Sequence, residues 1–225
     1  MEQSQIDTWW IPLTSSSEVS ALSESILSRE ERLRADRFHF AEHARQFRVC
    51  HVALRIVLEK YLHQPAQTIL LTTAPLGKPV IADHTRVHFS LSHTNDVAIV
   101  AVSSDLEVGV DIEQIRFDLR VGEMLSCFTL CEQEILRETN SNDARVAAFF
   151  RLWTRKEAVL KADGAGLRSA LNGFDVSRSR DEVVSFPEGT QQLWRVDDLE
   201  VPSGYFAALA APPGSWSVRW RRLWD

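Results

Sequence analysis

Residues 149–167 read FFRLWTRKEAVLKADGAGL, and the apolar spacing predicts a long helix from about Ala144 to Ala162. On a helical wheel, Phe149, Phe150, Trp153 and Leu160 share one side. Glu157 and Lys161 fall on that same side, whereas Arg151 and Arg155 point the opposite way. A carboxylate and an ammonium in an apolar sector need partners, because burying an unpaired charge is costly. One reading is an internal i,i+4 ion pair between the two. The other is that both face something other than water.

Upstream, VGVDIE (108–113) alternates Val108, Val110 and Ile112 with Gly109, Asp111 and Glu113. On a strand this sets an aliphatic stripe against a core and projects Asp111 and Glu113 together, ~7 Å apart along the backbone. Paired carboxylates suit an exposed sheet edge. They also suit a cation, and Gly109 on their face would leave room for a ligand. Asp111, Glu113 and Glu157 together would make an all-oxygen site fit for Mg²⁺, with waters and phosphate completing it.

Helical signals run from about Ser28 to Leu62, ended by HQPAQ. The runs TILLT (68–72), VHFSLS (87–92) and VAIVAV (97–102) read as strands, the last two joined by a turn that begins at His93. A capping box, Thr129 with Glu132, opens another helix. After the long helix, FDVS, QQLWRV, YFAALA and SWSVRW read as further strands. The order of helix then short strands thus occurs twice. This predicts an α+β fold of two pseudo-symmetric lobes, 1–103 and 104–225, each a helix on a small, mainly antiparallel sheet, with the active site in the cleft between them.

Composition limits the function. The 225 residues carry a net charge of −6, which opposes nucleic-acid binding. No apolar run reaches the ~18 residues of a membrane span, and the start lacks the order of a secretion signal. Three cysteines, an odd number, fit a reducing cytoplasm. Cys127 and Cys131 lack a second pair for zinc and read as core thiols, and the seven tryptophans also read as core. Residues 29–60 hold eight Lys/Arg against five acids, either a solvated helix or a docking surface for an acidic or phosphorylated partner. His39 and His43, one turn apart without an intervening glutamate, read as a solvated face. Gly77-Lys78-Pro79 is a turn with an extended lysine, and Ser90 and Ser92 share the polar face of a strand.

In this order, GKP (77–79), FSLSH (89–93), GVDIE (109–113), W-x-x-K-E-A (153–158), Lys161 and GAGL (164–167) resemble the 4′-phosphopantetheinyl transferase superfamily, in its longer, two-lobed type that activates surfactin synthetase. The resemblance implies transfer of phosphopantetheine from coenzyme A to a serine of an apo acyl or peptidyl carrier protein, releasing adenosine 3′,5′-bisphosphate. It implies Mg²⁺, with Mn²⁺ a substitute, held by Asp111, Glu113 and Glu157. Glu157, Lys161 and Asp111 would be catalytic. Gly77, Lys78, Pro79, Ser92, His93 and Lys161 would contact coenzyme A, with Arg34, Arg45 and Arg48 near its 3′-phosphate or the carrier. The chain departs from the family at Ser90, where Asn is frequent, at Thr94 (Ser) and at Glu31, a basic position in some members. A monomer is expected, since the two lobes already form the cleft. The competing expectations are a Mg²⁺-dependent phosphohydrolase of a small phosphorylated substrate and a non-catalytic carrier-binding module.

Overall fold

In the computed structural model of the chain, residues 3–13, 25–82, 86–164, 171–177, 183–185 and 192–223 are described. Two helices carry the first half: α1 (Arg29–Ala35), opened by a Ser28–Glu31 capping box, and α2 (Ala41–Leu62). The single helix expected over 28–62 is broken at 36–40, where Phe38 folds back against Phe47 at a ring separation of 5.5 Å. Apolar contact at the break outweighs continuation of the helix. The helices of the second half are α3 (Leu130–Glu138), with the expected Thr129–Glu132 capping box, and α4 (Asn142–Asp163), capped by Ser141 and ended by Gly164 at φ 75°.

The strands are β1 (Ser4–Pro12), β2 (Leu71–Thr73), β3 (Pro79–Ile81), β4 (His88–Thr94), β5 (Val97–Ser103), β6 (Gly109–Gln114), β7 (Val183–Ser185), β8 (Leu193–Asp198), β9 (Tyr205–Ala211) and β10 (Trp216–Arg222). One sheet has the order β10-β1-β5-β4, another β6-β9-β8-β7, and β2-β3 form a hairpin. All described pairings are antiparallel except β1 with β10. That last strand crosses from the second half of the chain to the sheet of the first.

Alternation of side chains along the strands produces four layers. Ala98, Val100 and Val102 of β5 pack under α2 with Val52, Leu54 and Leu58. Ile99 and Ala101, on the opposite face, meet Val108 just before β6, Val110 and Ile112 of β6, and Ala207 and Leu209 of β9. Ala208 and Ala210 then pack beneath α4 with Phe150, Ala158 and Ala162. The aliphatic stripe of VGVDIE is therefore the core between the sheets, and its polar face turns to α4. Each fully buried aliphatic or aromatic side chain contributes ~1.5–3 kcal/mol relative to exposure.

Several readings change. Gly109 makes room for a helix, not a ligand: a Cβ there would stand 2.0 Å from the Ala158 carbonyl oxygen and 2.2 Å from the Ala162 nitrogen. The FDVS run is not a strand. Its backbone is satisfied by buried charges: Lys156 donates to the Phe174 carbonyl (2.6 Å), Arg155 to the Val176 carbonyl (2.9 Å), and the Val176 N–H donates to Glu132 (2.8 Å). His93 lies within β4, and the turn is Asn95-Asp96, with Asn95 in positive φ. Cys131 is exposed and Cys127 half-buried; only Cys50 is a buried thiol, pushed up to about 12 by its surroundings. Trp220 is exposed, while Trp194 and Trp216 are core. His39 and His43 are exposed, as expected, and flank the Phe40 ring. Of GAGL, residues 165–167 lie outside the described set.

Candidate active site

The helix of the opening stretch packs β6 so that its residues divide sharply. Lys156 is fully buried, and its three N–H donors are met by Glu132 (2.8 Å) and the carbonyls of Leu171 (2.8 Å) and Phe174 (2.6 Å). Arg155 is buried too, held by Asp198 at 2.6 Å. It does not face solvent as the wheel suggested, because α4 is covered on nearly every side. These groups hold segment 171–177 beneath the helix.

Glu157 and Lys161 point toward β6. Lys161 Nζ donates to Asp111 Oδ1 at 2.7 Å, and the Ser92 hydroxyl donates to the same oxygen at 2.8 Å. The expected Glu157–Lys161 pair is thus replaced by a pair across the layers. Asp111 Oδ2 and Glu157 Oε1 are buried without a hydrogen-bond partner among the described residues. Burial first, and the Asp111 charge second, push the Glu157 carboxyl above its usual range. Glu113 is pushed up to about 7, by burial and then by Asp111, with Glu157 adding to it. No three Asp, Glu, His or Cys side chains form a ready metal-binding group among the described residues. The Asp111 charge reaches both glutamates, but the three carboxylates do not converge, and Lys161 occupies one oxygen of Asp111. Even so, two orphaned buried carboxylate oxygens are the donor type that a hard cation takes.

Beside this cluster opens a cleft of about 320 Å³ between the halves, lined on one side by Gly77, Lys78 and Pro79 and on the other by Glu157, Lys161 and Gly164. Chain separations of about eighty residues are closed here. Gly77 adopts φ 102° in the β2–β3 turn, a backbone state that a Cβ disfavours. Lys78 Nζ donates to Glu107 (2.7 Å) and to the Ala162 carbonyl (2.9 Å), bridging the two halves. Its side chain passes over Gly164, where a Cβ would lie 3.5 Å from the lysine Cδ.

Other expected residues sit differently. Ser92 is buried, its hydroxyl committed to protein. His93 is exposed, with its imidazolium disfavoured by partial desolvation of the ring and by the Lys161 charge. Arg34 is exposed over the Phe47 ring, its guanidinium 5.2 Å from the centroid. Arg45 pairs with Glu42 and Arg48 with Asp36, so two of the segment's cations are held by acids of the same segment. Sequence reasoning missed His51, which lines the cleft with Nδ1 2.8 Å from Glu31, and Arg55, buried behind it on the same carboxylate at 2.7 Å. The i,i+4 spacing of 51 and 55 was the available signal. Burial alone would raise the Glu31 carboxyl, but its contacts with His51 and the Ser28 N–H and the Arg55 charge outweigh burial and hold it below its ordinary range.

Residues 107–210 match the 4′-phosphopantetheinyl transferase superfamily, and residues 8–105 match the 4′-phosphopantetheinyl transferase N-terminal family. The 4′-phosphopantetheinyl transferase psf-1 of Bacillus pumilus is 35% identical over 78% of this chain and 71% of its own length. The 4′-phosphopantetheinyl transferase HetI of Nostoc sp. is 28% identical over 96% of this chain and 91% of its own. The 4′-phosphopantetheinyl transferase Sfp of Bacillus subtilis is 28% identical over 83% of each. The chain belongs to the 4′-phosphopantetheinyl transferase superfamily. It is a transferase of the long, two-lobed type, moving phosphopantetheine to carrier proteins, and the phosphohydrolase and binding-module readings give way. Among the described residues no helix is long and apolar enough to cross a membrane.

Proposed function

We propose that coenzyme A lies in the cleft between two lobes, 1–103 and 104–225, with its pyrophosphate beside Asp111, Glu157 and Lys161. The observation that carries this reading is the pair of buried oxygens, Asp111 Oδ2 and Glu157 Oε1, that have no partner among the described residues, next to an ammonium at the cleft wall. Asp111 and Glu157 would hold Mg²⁺, or Mn²⁺ in its place, with Glu113 as the third carboxylate. When bound, such an ion supplies charge neutralisation to the pyrophosphate and fixes its orientation.

The chain's own groups then act around the reacting phosphorus. A serine hydroxyl of the carrier attacks the phosphorus that bears the pantetheine arm. The bond to the adenosine 3′,5′-bisphosphate oxygen breaks, and the arm stays on serine. Glu157, whose carboxylate is made more basic by burial, accepts the hydroxyl proton directly or through a bound water. Lys161 stabilises negative charge on the phosphoryl oxygens or leaving group. Lys78, at the opposite wall, meets a coenzyme A phosphate by exchanging its Glu107 partner for it, and Gly77 and Pro79 shape that turn. His93 and Arg34 lie where outer phosphates or the carrier would approach. We read the enzyme as a cytoplasmic monomer, which its free cysteines and self-contained cleft support.

The test is intact-mass spectrometry of apo carriers incubated with coenzyme A. A mass gain of one phosphopantetheine arm that requires Mg²⁺ is expected. Undiminished transfer in excess chelator would remove the metal from this reading.

A further inference from the structure

Strand β6 pairs with β9 along one edge and would leave alternate N–H groups bare along the other. There β4 supplies hydroxyls in register. The Val110 N–H donates to Ser90 Oγ (3.0 Å), the Ile112 N–H to Ser92 Oγ (3.4 Å) and the Gln114 N–H to Thr94 Oγ1 (3.3 Å). These side chains recur at every second residue, matching the two-residue repeat of the opposed strand. A ladder of hydroxyls therefore joins the two sheets where backbone pairing is absent.

The middle rung differs from its neighbours. Ser92 accepts from the strand, and its own proton goes to Asp111 Oδ1 at 2.8 Å, beside the Lys161 contact at 2.7 Å. Both donors hold one carboxylate oxygen and leave the other, Oδ2, without a partner among the described residues. We propose that Ser92 is a positioning residue: it fixes the rotation of the Asp111 carboxylate so that Oδ2 faces the cation. Ser92 thus acts through Asp111 and not as a contact to coenzyme A. The inference rests on reading Asp111 as a cation ligand.

The experiment measures Mn²⁺ binding to metal-free enzyme by electron paramagnetic resonance, and coenzyme A binding in chelator, for wild type, Ser92→Ala, Ser92→Cys and Thr94→Val. Thr94→Val removes an equivalent rung that touches no carboxylate. Support would be Mn²⁺ affinity lowered by roughly 10–100-fold in both Ser92 variants, the usual cost of losing a group that orients a ligand, with Thr94→Val like wild type. Ser92→Cys keeps nearly the same volume, so a folded variant is available if the alanine protein misfolds. Unchanged Mn²⁺ affinity with weakened coenzyme A binding in the Ser92 variants would overturn the proposal in favour of direct ligand contact. Equal Mn²⁺ losses in Thr94→Val would overturn it in favour of general loosening of the seam. A wild-type protein that binds no Mn²⁺ would instead overturn the cation site itself.

Discussion

Lys156 and Glu157 are neighbours in the chain, and their surroundings are opposite. Lys156 is enclosed, with all three donors met and a carboxylate partner that is itself fully buried. Glu157 is half-buried at the cleft wall, and among the described residues it has no ion pair and one buried oxygen with no partner. One side of α4 is a finished structural device, which clamps α3 and segment 171–177 to the helix. The other side is left unfinished at a cleft. A buried carboxylate oxygen without a partner calls for an explanation, and the contrast sets the groups that hold the fold apart from those proposed to act in transfer.

The largest effect is expected on the finished side. Lys156→Ala strands the Glu132 carboxylate, costing roughly 3–5 kcal/mol, read as a lowered midpoint in urea unfolding. A variant within 1 kcal/mol of wild type would break the comparison at its root, the figure being well under that range.

Glu157→Gln probes the other side and should reverse the pattern. Transfer should fall by at least ~100-fold, the scale of a lost acid–base group. The metal-free melting temperature should stay unchanged or rise, because one of several mutually repelling charges is gone. Stabilisation by added Mg²⁺ should shrink, since a ligand stabilises in proportion to its binding. A variant that melts far below wild type without metal, yet keeps its metal response, would place Glu157 with Lys156 among the structural groups.

Gly109→Ala sharpens the boundary between the two sides. The added methyl would meet helix backbone, not a flexible side chain, so β6 and α4 must separate. A stability loss of about 1–3 kcal/mol is expected, the usual cost of overpacking, together with weaker metal binding as Asp111 moves from Glu157. Calorimetry with and without Mg²⁺ reads both. Full stability would mean that the close approach is not required.

The smallest effect concerns pH. Glu113 has its carboxyl pushed up to about 7 from an ordinary 4.5. Between those values the metal-free folded protein holds a proton that the unfolded chain has released. Stability from this group is therefore full below about 4.5 and falls as pH rises toward 7. The difference in melting temperature between wild type and Glu113→Gln should change across that window in this direction. A constant difference would remove the upward shift of Glu113, to which burial contributes first and the Asp111 charge second.

Much of this was readable along the chain. The Thr129–Glu132 box, the ends of α4, the hairpin around Asn95 and the division of VGVDIE into an apolar and an acidic face are local patterns, fixed by periodicity and by side chains bonding within a turn. The order of motifs also pointed to the family, and Glu157 stood out because a charge in an apolar sector is conspicuous on a wheel. Partners were not readable. Periodicity says that a side chain turns inward without saying what it meets, so Lys161 was matched to Glu157 four residues away although Asp111, fifty residues away, holds it. The same reason hid the burial of Arg155 and Lys156: a wheel treats one face of a helix as solvent, whereas α4 packs a sheet on one side and segment 171–177 on another. Only packing decided that Gly109 admits a helix, that Lys78 spans the halves and that β10 joins β1, because each depends on how closely distant backbones approach.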